Sequence, residues 1–406
     1  MRSGASRLRG PREAIGAVAV FLVFSLNFGA YRVFGDGVDY YSFVQRLFAD
    51  RSHGSGYNFG TGLSNAPFYG AAKVAQALVG ARANRLLPAS ITIASISYVL
   101  LAMALSVWLV RQMSLPRPWL AALLAVFGSP LWYYASFSPS YTHAADAAGF
   151  SLAAAALWQV FAHDDLRWRV AAGAALGLEV TVRPFNLALV VGAFVALVAQ
   201  RRVRDAIVVG LGAGATTGVL LLVPLILGTS LRRRADGGVV AGNHLVFSPL
   251  SPFRMLFTEH RGLFIWTPAT LLATLGIALL LRSHARFHPF VTTLTVMVVS
   301  LLASYAFFAV WDGGWSFSAR YLAAPLPFYA LGLAQLFAAR RRGLRARIAP
   351  LVGAAVLWSV FLGMSHAFGA AQSDGAFGVA RRHANSSFFS LAWSYSRVRH
   401  LFRAIG

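Results

Sequence analysis

Cysteine is absent from this sequence of 406 residues, and lysine occurs once, at Lys73. Without cysteine the chain forms no disulfide, carries no thiolate nucleophile and builds no metal site with sulfur ligands. Charged residues are scarce at 12%, about half the share found in soluble domains, whereas hydrophobic residues reach 57%. Polar side chains are too few to cover a globule in water. The sequence therefore predicts a protein that uses lipid as its solvent.

Acidic residues are also few, with 13 acidic against 36 basic residues and a formal net charge of +23. In a soluble protein this excess would indicate nucleic-acid binding, but the apolar composition excludes that class. We expect the arginines to orient the chain in a membrane and to meet lipid phosphates. With so few acids, each one outside the basic loops is a candidate base or ion-pair partner: Asp36, Asp39, Asp50, Asp146, Glu179, Asp236, Glu259, Asp312 and Asp374.

Apolar windows of about 20 residues predict helices that cross the hydrocarbon core, which is about 30 Å thick. Spans are expected near 14–34, 87–110, 118–136, 144–162, 206–228, 263–281, 289–311, 322–339 and 349–369. The stretch 170–200 is interrupted by Arg183-Pro184. Because proline disfavours helix at the residue before it, two short spans are expected there. Eleven crossings place the N-terminus and every short basic loop in the cytoplasm, as the positive-inside rule requires.

The expected fold class is therefore all-α and integral to a membrane, with about eleven transmembrane helices. Residues 1–369 would form one polytopic domain, and residues 370–406 a short extracytoplasmic amphipathic tail. The first span is too long for a cleaved signal peptide and lacks a small-residue cleavage site, so it is expected to remain as an anchor. A ladder of Gly210, Gly214 and Gly218 predicts a helix-packing face.

Two acids directly after the first span, Asp36 and Asp39, are the first candidates for chemistry. Glycines flank Asp36 and let the backbone hold a carboxylate at the membrane boundary without a bulky neighbour. The segment 40–48 is amphipathic and is expected to lie along the interface. Taken alone, this pattern is more typical of an aspartate that caps a helix than of a catalytic base.

Two further acids are predicted near membrane depth, where carboxylates are costly unless paired or functional. Glu179 and Arg183 are four residues apart, so an ion pair on one helix face is expected. Asp146 follows His143 by about one turn at the outer end of the fourth span. A polar helix start and a role in a site are both open for Asp146.

The segment GDGVDYYSFVQRLFAD after the first span resembles the start of polytopic glycosyltransferases of the GT-C superfamily. That superfamily includes the protein O-mannosyltransferases and the lipid A aminoarabinose transferases. Three more segments, at 138–143, 261–268 and 311–322, resemble bacterial members in the same order, so the likeness extends from about 14 to 340. It implies that an aspartate of the first outer loop is the base. The family's paired acids usually stand side by side, whereas Gly37 follows Asp36, which leaves the choice between Asp36 and Asp39 open.

The resemblance also implies a polyprenyl-phosphate sugar as donor, an extracytoplasmic acceptor (glycan, lipid or protein) and inversion at the anomeric carbon. Arginine forks suit a leaving phosphate, so Arg320, Arg261 and Arg183 are expected to bind it, although anchoring to bulk lipid headgroups is the alternative. Tyr141, His143, Asp146, Trp311 and Trp315 are expected to bind the acceptor or the sugar, with an aromatic belt as the alternative for the tryptophans. No cofactor or metal is expected, because His, Asp and Glu form no cluster with metal-ligand spacing.

Two other functions fit the outer arginines. A transporter or flippase of a lipid-linked sugar would show charged residues near the middle of the membrane in paired spans, and the acids here lie at the outer boundary instead. An O-antigen ligase or polymerase would use a diphosphate lipid and more arginines in a large outer loop. The expected location is the inner (plasma) membrane of a bacterium, because near-exclusive use of arginine with abundant alanine is typical of GC-rich genomes.

Overall fold

The computed structural model describes residues 5–50, 58–80, 85–229, 246–283, 285–308, 310–313, 316–338, 342–369 and 375–377. In these ranges the regular structure is helical and contains no strand, so the all-α expectation is confirmed. The first eight helices are α1 (Ala5–Phe28), α2 (Gly37–Leu47), α3 (Phe59–Val79), α4 (Leu86–Gln112), α5 (Pro118–Phe127), α6 (Leu131–Ser136), α7 (His143–Ala162) and α8 (Leu166–Val182). The others are α9 (Leu187–Ala199), α10 (Val203–Ile226), α11 (Ser251–Phe257), α12 (Leu263–Trp266), α13 (Ala269–Ser283), α14 (His288–Ala306), α15 (Leu326–Phe337) and α16 (Arg342–Gly369).

Six of these helices are long and apolar enough to cross a membrane, namely α1, α4, α7, α10, α14 and α16. A helix of 20 residues is about 30 Å long, so the chain is a multi-pass membrane protein. Four shorter apolar helices, α5, α9, α13 and α15, together with α8, lie at the remaining predicted spans. Each predicted span thus coincides with a helix, whereas eleven as the number of crossings stays a prediction.

Prolines divide several of these segments. The break in 170–200 is confirmed, because α8 ends at Val182 and α9 begins at Leu187. Continuous helices over 118–136 and 263–281 were wrong: Pro130 separates α5 from α6, and Pro268 separates α12 from α13. The proline ring removes a backbone donor and clashes with the preceding turn, so a helix cannot run through these positions without distortion.

Helix α8 packs closely against α10, but not through the predicted glycine ladder. A Cβ on Gly173 would lie 2.6 Å from a carbonyl oxygen of α10, and one on Gly177 would lie 2.5 Å from that of Ala213. By contrast, a Cβ on Gly214 or Gly218 would have no neighbour within 4 Å in the described part of the chain. The ladder prediction was wrong because the contact face of α10 lies one residue away, and the glycines that allow close approach are on α8.

Ion pairs join α8 and α10 at one end of the bundle. The buried Arg169 donates from Nε to Asp205 Oδ1 at 2.5 Å and from Nη2 to Asp164. Arg202 donates from its Nε to the other oxygen of Asp205, also at 2.5 Å. Two carboxylates thus balance two guanidinium groups in what we call the Asp205 cluster (Asp164, Arg169, Arg202 and Asp205). Separating buried paired charges is costly, so the cluster fixes this end of both helices.

Helix direction separates the Asp205 cluster from the predicted site. Helix α7 begins at His143 and ends at Ala162, and α8 returns from Leu166 towards Arg183. Since 20 helical residues span about 30 Å, His143 and Arg183 lie at the end of the bundle opposite to the Asp205 cluster. The expected tail 370–406 lies outside the described residues except for 375–377, where the Ala376 N–H donates to the Glu259 carbonyl oxygen at 2.9 Å.

Candidate active site

The turn Gly35-Asp36-Gly37 lies against the loop that precedes α7 because its glycines leave no side chain in the way. Gly35 has a φ of +58°, and a Cβ there would overlap the Tyr141 hydroxyl. A Cβ on Gly37 would overlap the side chain of Ser140. Asp36 comes directly before α2, yet its side chain forms no capping hydrogen bond to the described backbone. Asp36 therefore has the N-cap position that the sequence predicts, but its side chain does not cap the helix.

Asp36 meets Arg320, which lies 284 positions later in the chain, with 3.4 Å between Oδ2 and Nη2. Both side chains are largely buried, with exposed fractions of 17% and 12%. The guanidinium lies over the rings of Tyr141 and Tyr321, at 5.4 and 5.2 Å from their centroids. Within the described residues, Nε of Arg320 is buried without a hydrogen-bond partner. Arg320 thus keeps donor capacity beyond its contact with Asp36, as an anion site requires.

Backbone geometry in the loop before α15 positions Arg320. Gly313 has a φ of +69°, and a Cβ there would lie 2.5 Å from Arg320 Nε. Ser318 also has a positive φ, of +56°. The Tyr134 hydroxyl of α6 accepts from the Phe317 N–H at 2.9 Å and donates to the Phe317 carbonyl oxygen at 3.1 Å. A glycine turn and a buried tyrosine together fix the loop that carries the arginine.

Arg183 is the second buried cation at this end of the bundle. Its Nη1 donates to Asp146 Oδ2 at 3.0 Å and lies 3.4 Å from His143 Nδ1. The guanidinium lies over the Tyr321 ring, 4.9 Å from the centroid. Because Tyr321 also carries Arg320, one aromatic ring contacts both cations.

The ion pair expected between Glu179 and Arg183 is not formed. Arg183 has an extended backbone (φ −151°, ψ 118°) because Pro184 follows it. Its side chain therefore does not project from the same helix face as Glu179, as an ion pair between residues four apart would require. Instead, Asn186 connects the two acids, since its Nδ2 donates to Asp146 Oδ1 at 2.8 Å and to Glu179 Oε2 at 2.9 Å.

His143 lies between Arg183 and the rings of Tyr134 and Tyr141. A guanidinium only donates hydrogen bonds, so the Nδ1 that faces Arg183 is an acceptor and the hydrogen resides on Nε2. That Nε2 is buried with no hydrogen-bond partner among the described residues. The imidazole lies 4.1 Å from the Tyr134 ring and nearly parallel to that of Tyr141. A buried donor that lacks a partner indicates a place where a ligand atom can bind.

Comparison with known proteins gives matches only at the level of structure. No family model and no curated protein matches the sequence. The apo structure of ArnT from Cupriavidus metallidurans aligns with 97% of this chain and 75% of that chain, at a TM-score of 0.57 and 16% identity. The same enzyme bound to undecaprenyl phosphate aligns over the same shares, at a TM-score of 0.52 and 15% identity.

A third similar structure is the apo oligosaccharyltransferase of Archaeoglobus fulgidus. It aligns with 88% of this chain and 55% of that chain, at a TM-score of 0.51 and 12% identity. Both enzymes are members of the GT-C superfamily. The chain has the GT-C fold. The resemblance in the sequence motifs is thereby confirmed at the level of the fold.

In this GT-C fold, six of the ten predicted site residues come together with Tyr321. We call the group the Asp36 site: Asp36, Tyr141, His143, Asp146, Arg183, Arg320 and Tyr321. Tyr134, Tyr321 and Asn186 were not predicted as site residues from the sequence, although Tyr321 lies in the segment 311–322, because their places in the site follow only from the side chains they contact. The roles of all these residues stay predictions.

The other four predicted residues have different positions. Asp39 is half-buried in the first turn of α2. Arg261 is fully buried, donates from Nη1 to the His260 carbonyl oxygen at 2.7 Å and lies over the Trp266 ring at 4.9 Å. Trp311 is half-buried against the apolar core, and Trp315 lies outside the described residues.

A cavity of about 370 Å³ adjoins the Asp36 site in the GT-C bundle. Its polar lining includes the Asn27 amide, the exposed Arg32 and the Ser138 hydroxyl. Phe34 lines the same cavity, and its ring lies 6.0 Å from the ring of Tyr141 in the Asp36 site. The volume lies in the range of small-molecule sites, about 300–1,000 Å³, so a small polar group would fit in this cavity beside the Asp36 site.

Proposed function

We propose that this protein is a membrane glycosyltransferase that moves a sugar from a polyprenyl-phosphate donor to an acceptor on the extracytoplasmic face. The apposition of Asp36 and Arg320 supports this proposal, because it puts a carboxylate and a guanidinium in one largely buried place. The similarity to ArnT, which has been solved with undecaprenyl phosphate, supports a polyprenyl-phosphate lipid as the donor.

Asp36 is proposed as the base. Its carboxylate takes the proton of the acceptor hydroxyl or amine as that atom forms a bond to the anomeric carbon. The bond from the anomeric carbon to the phosphate oxygen breaks on the opposite face, so the product has the inverted configuration. The phosphate leaves without a proton, and hence no second carboxylate at glycosidase spacing is needed.

Arg320 and Arg183 are proposed to hold the departing phosphate. Arg320 has a buried Nε that no described residue engages, and guanidinium groups bind phosphate oxygens with two parallel hydrogen bonds. Arg183 is oriented by Asp146 and by the Tyr321 ring that it shares with Arg320. As negative charge grows on the leaving oxygen, these cations stabilise the transition state more than the ground state.

The cavity lined by Asn27, Arg32 and Ser138 is proposed as the entrance for the acceptor. It adjoins the loop of Asp36, so an acceptor there would approach the carboxylate from the side of Phe34. Hydroxyl and amide groups suit a sugar or another polar acceptor. His143, Tyr141 and Asp146 would then orient the donor sugar between this cavity and the cations.

The proposed topology has eleven crossings, from the six long helices and from α5, α8, α9, α13 and α15. The basic N-terminus is on the cytoplasmic side, which puts the Asp36 site outside and the Asp205 cluster inside. Helices α2 and α3 would lie along the outer interface, since α2 is amphipathic and buries Tyr40, Phe43 and Val44 on one face. We propose the bacterial plasma membrane as the location.

Transfer from a labelled donor tests the proposal. Purified protein in lipid nanodiscs receives a polyprenyl-phosphate sugar with a labelled sugar, and release or transfer of the label is measured. Asp36→Asn is expected to lower the rate by about 10²- to 10⁴-fold, the range for loss of a general base. Asp164→Asn, a change in an exposed carboxylate at the opposite end, is expected to keep the rate within a factor of two or so.

Two outcomes would contradict the proposal. Full transfer by Asp36→Asn with loss in Asp39→Asn would give the role of base to Asp39. Movement of the intact donor across the bilayer in liposomes, without release of the sugar, would favour a transporter of lipid-linked sugars.

A further inference from the structure

A second cavity lies at the end of the bundle opposite to the Asp36 site. Its volume is about 730 Å³. The last turn of α7, the connection between α9 and α10, the 3₁₀ turn Ala285–Phe287 and the start of α14 surround it. Since α7 runs about 30 Å from His143 to Ala162, this cavity is separate from the proposed transfer site, and nothing in the preceding mechanism uses it.

The cavity carries an excess of positive charge. Arg202 and Arg286 both line it. Arg286 is exposed, lies over the Phe287 ring at 4.9 Å and has no acidic partner among the described residues. Arg202 pairs with Asp205, but that carboxylate also neutralises the buried Arg169. An anion that enters the cavity therefore meets at least one uncompensated guanidinium.

The remaining wall is aromatic and is built from helices that are long and apolar enough to cross a membrane. The Trp158 ring of α7 lies 5.8 Å from that of Phe287 and 5.2 Å from that of Phe290 on α14. Phe161 also lines the cavity and lies under Arg202, 4.5 Å from the guanidinium carbon. Aromatic and basic side chains at the end of a spanning helix are typical of the boundary between acyl chains and headgroups.

We infer that this cavity binds the headgroup of an anionic phospholipid. The lipid phosphate lies beside Arg202 and Arg286, and the first methylenes of an acyl chain lie against Trp158 and Phe290. A soluble anion would use the same arginines but would leave the aromatic wall exposed to water. The position at the ends of α7 and α14, both candidate spans, therefore favours a lipid. This inference is independent of the proposed transfer reaction.

Lipid binding to the delipidated protein in detergent tests the inference. Dioleoyl phosphatidylglycerol or dioleoyl phosphatidylcholine is titrated in, and bound lipid is counted by native mass spectrometry. The wild type is expected to bind one phosphatidylglycerol several-fold more tightly than phosphatidylcholine. Arg286→Ala is expected to weaken phosphatidylglycerol binding about five-fold, which corresponds to one basic residue beside an anionic lipid surface.

Arg111→Ala is the matched control, because Arg111 is also exposed but lies at the end of α4 and does not line the cavity. It is expected to keep the affinity of the wild type. Ala162→Trp, which introduces an indole at the wall of the cavity and leaves both arginines in place, is expected to weaken the preference for phosphatidylglycerol. Equal losses in Arg286→Ala and Arg111→Ala would overturn the inference. So would displacement of the lipid by inorganic pyrophosphate, because the cavity would then be a site for a soluble anion.

Discussion

The two ends of the bundle both contain buried arginines, but these arginines differ in how fully carboxylates pair with them. In the Asp205 cluster two carboxylates face Arg169 and Arg202, at 2.5 Å for both contacts to Asp205. In the Asp36 site the closest approach of Arg320 to its carboxylate is 3.4 Å, and its Nε has no partner among the described residues. The Asp205 cluster is balanced by its own carboxylates, whereas Arg320 in the Asp36 site keeps a hydrogen-bond donor without a partner among the described residues.

We propose that this difference distinguishes arginines that hold helices together from arginines that bind a ligand. A fully paired buried cluster resists separation of its members and adds rigidity. A buried guanidinium with spare donors and aromatic neighbours is costly in the empty protein and gains most when an anion binds. Arg320 is such a residue, and Arg169 is its structural counterpart.

The largest expected effect is on stability and comes from removing a carboxylate of the Asp205 cluster. Asp205→Ala leaves Arg169 buried with only the exposed Asp164 as partner, so we expect a loss of about 3–5 kcal/mol in the free energy of unfolding. Thermal unfolding in detergent micelles measures it. Asp165→Ala removes an exposed pair with Arg167 and the N-cap hydrogen bond of α8 and should cost about 1–2 kcal/mol. Similar decreases in the unfolding temperature of both variants would show that the Asp205 cluster stabilises the fold no more than an exposed ion pair does.

A smaller effect is expected from moving Asp36 without changing it. A Cβ in Gly37→Ala would collide with Ser140, whose carbonyl oxygen would lie 2.6 Å away, and so would displace the turn. A shift of about 1 Å in a reacting group lowers a rate about 100-fold, which the transfer assay measures.

The control for this change is Gly214→Ala, where a Cβ has no neighbour within 4 Å in the described structure. Alanine there is expected to stabilise α10 by up to about 1 kcal/mol and to leave transfer unchanged. Unimpaired transfer in Gly37→Ala would mean that the close approach to Ser140 does not set the position of Asp36.

The smallest effect is expected at a partly exposed pair outside both ends, Lys73 with Asp50 at 2.6 Å. Burial acts to raise the pKa of the Asp50 carboxyl, but Lys73 and the Tyr69 hydroxyl outweigh it, and the pKa lies below its ordinary value. Lys73→Met should cost about 0.5 kcal/mol at pH 7. A lowered pKa gives a stabilisation that is fully present above the unfolded pKa and is lost as the pH falls through the folded pKa, so the difference between Lys73→Met and the wild type should shrink steadily below about pH 4. A difference that keeps its pH 7 size at pH 3 and below in thermal unfolding would contradict this account.

Much of the fold was predictable because lipid leaves few choices. Long apolar windows must be helices, and the break at Pro184 followed from the chemistry of its ring. The order of motifs was enough to select Asp36 and Arg320, although they are 284 positions apart.

Contacts fixed by tertiary packing could not be predicted. Tyr321 belongs to the Asp36 site only because two guanidinium groups meet over its ring, and Asn186 only because it bridges two acids. The glycine ladder around Gly214 failed for the same reason, since spacing identifies a face of a helix but not the neighbour that covers it.

Equilibrium binding of undecaprenyl phosphate tests the contrast between the two ends most directly. Arg320→Gln and Arg169→Gln are compared with the wild type for lipid affinity and for thermal unfolding. We predict that Arg320→Gln lowers the affinity about tenfold or more, the contribution of a charged hydrogen bond, and leaves thermal unfolding nearly unchanged. Arg169→Gln should leave the affinity for the lipid nearly unchanged and lower the temperature of thermal unfolding. Equal affinity in Arg320→Gln and the wild type would contradict the account.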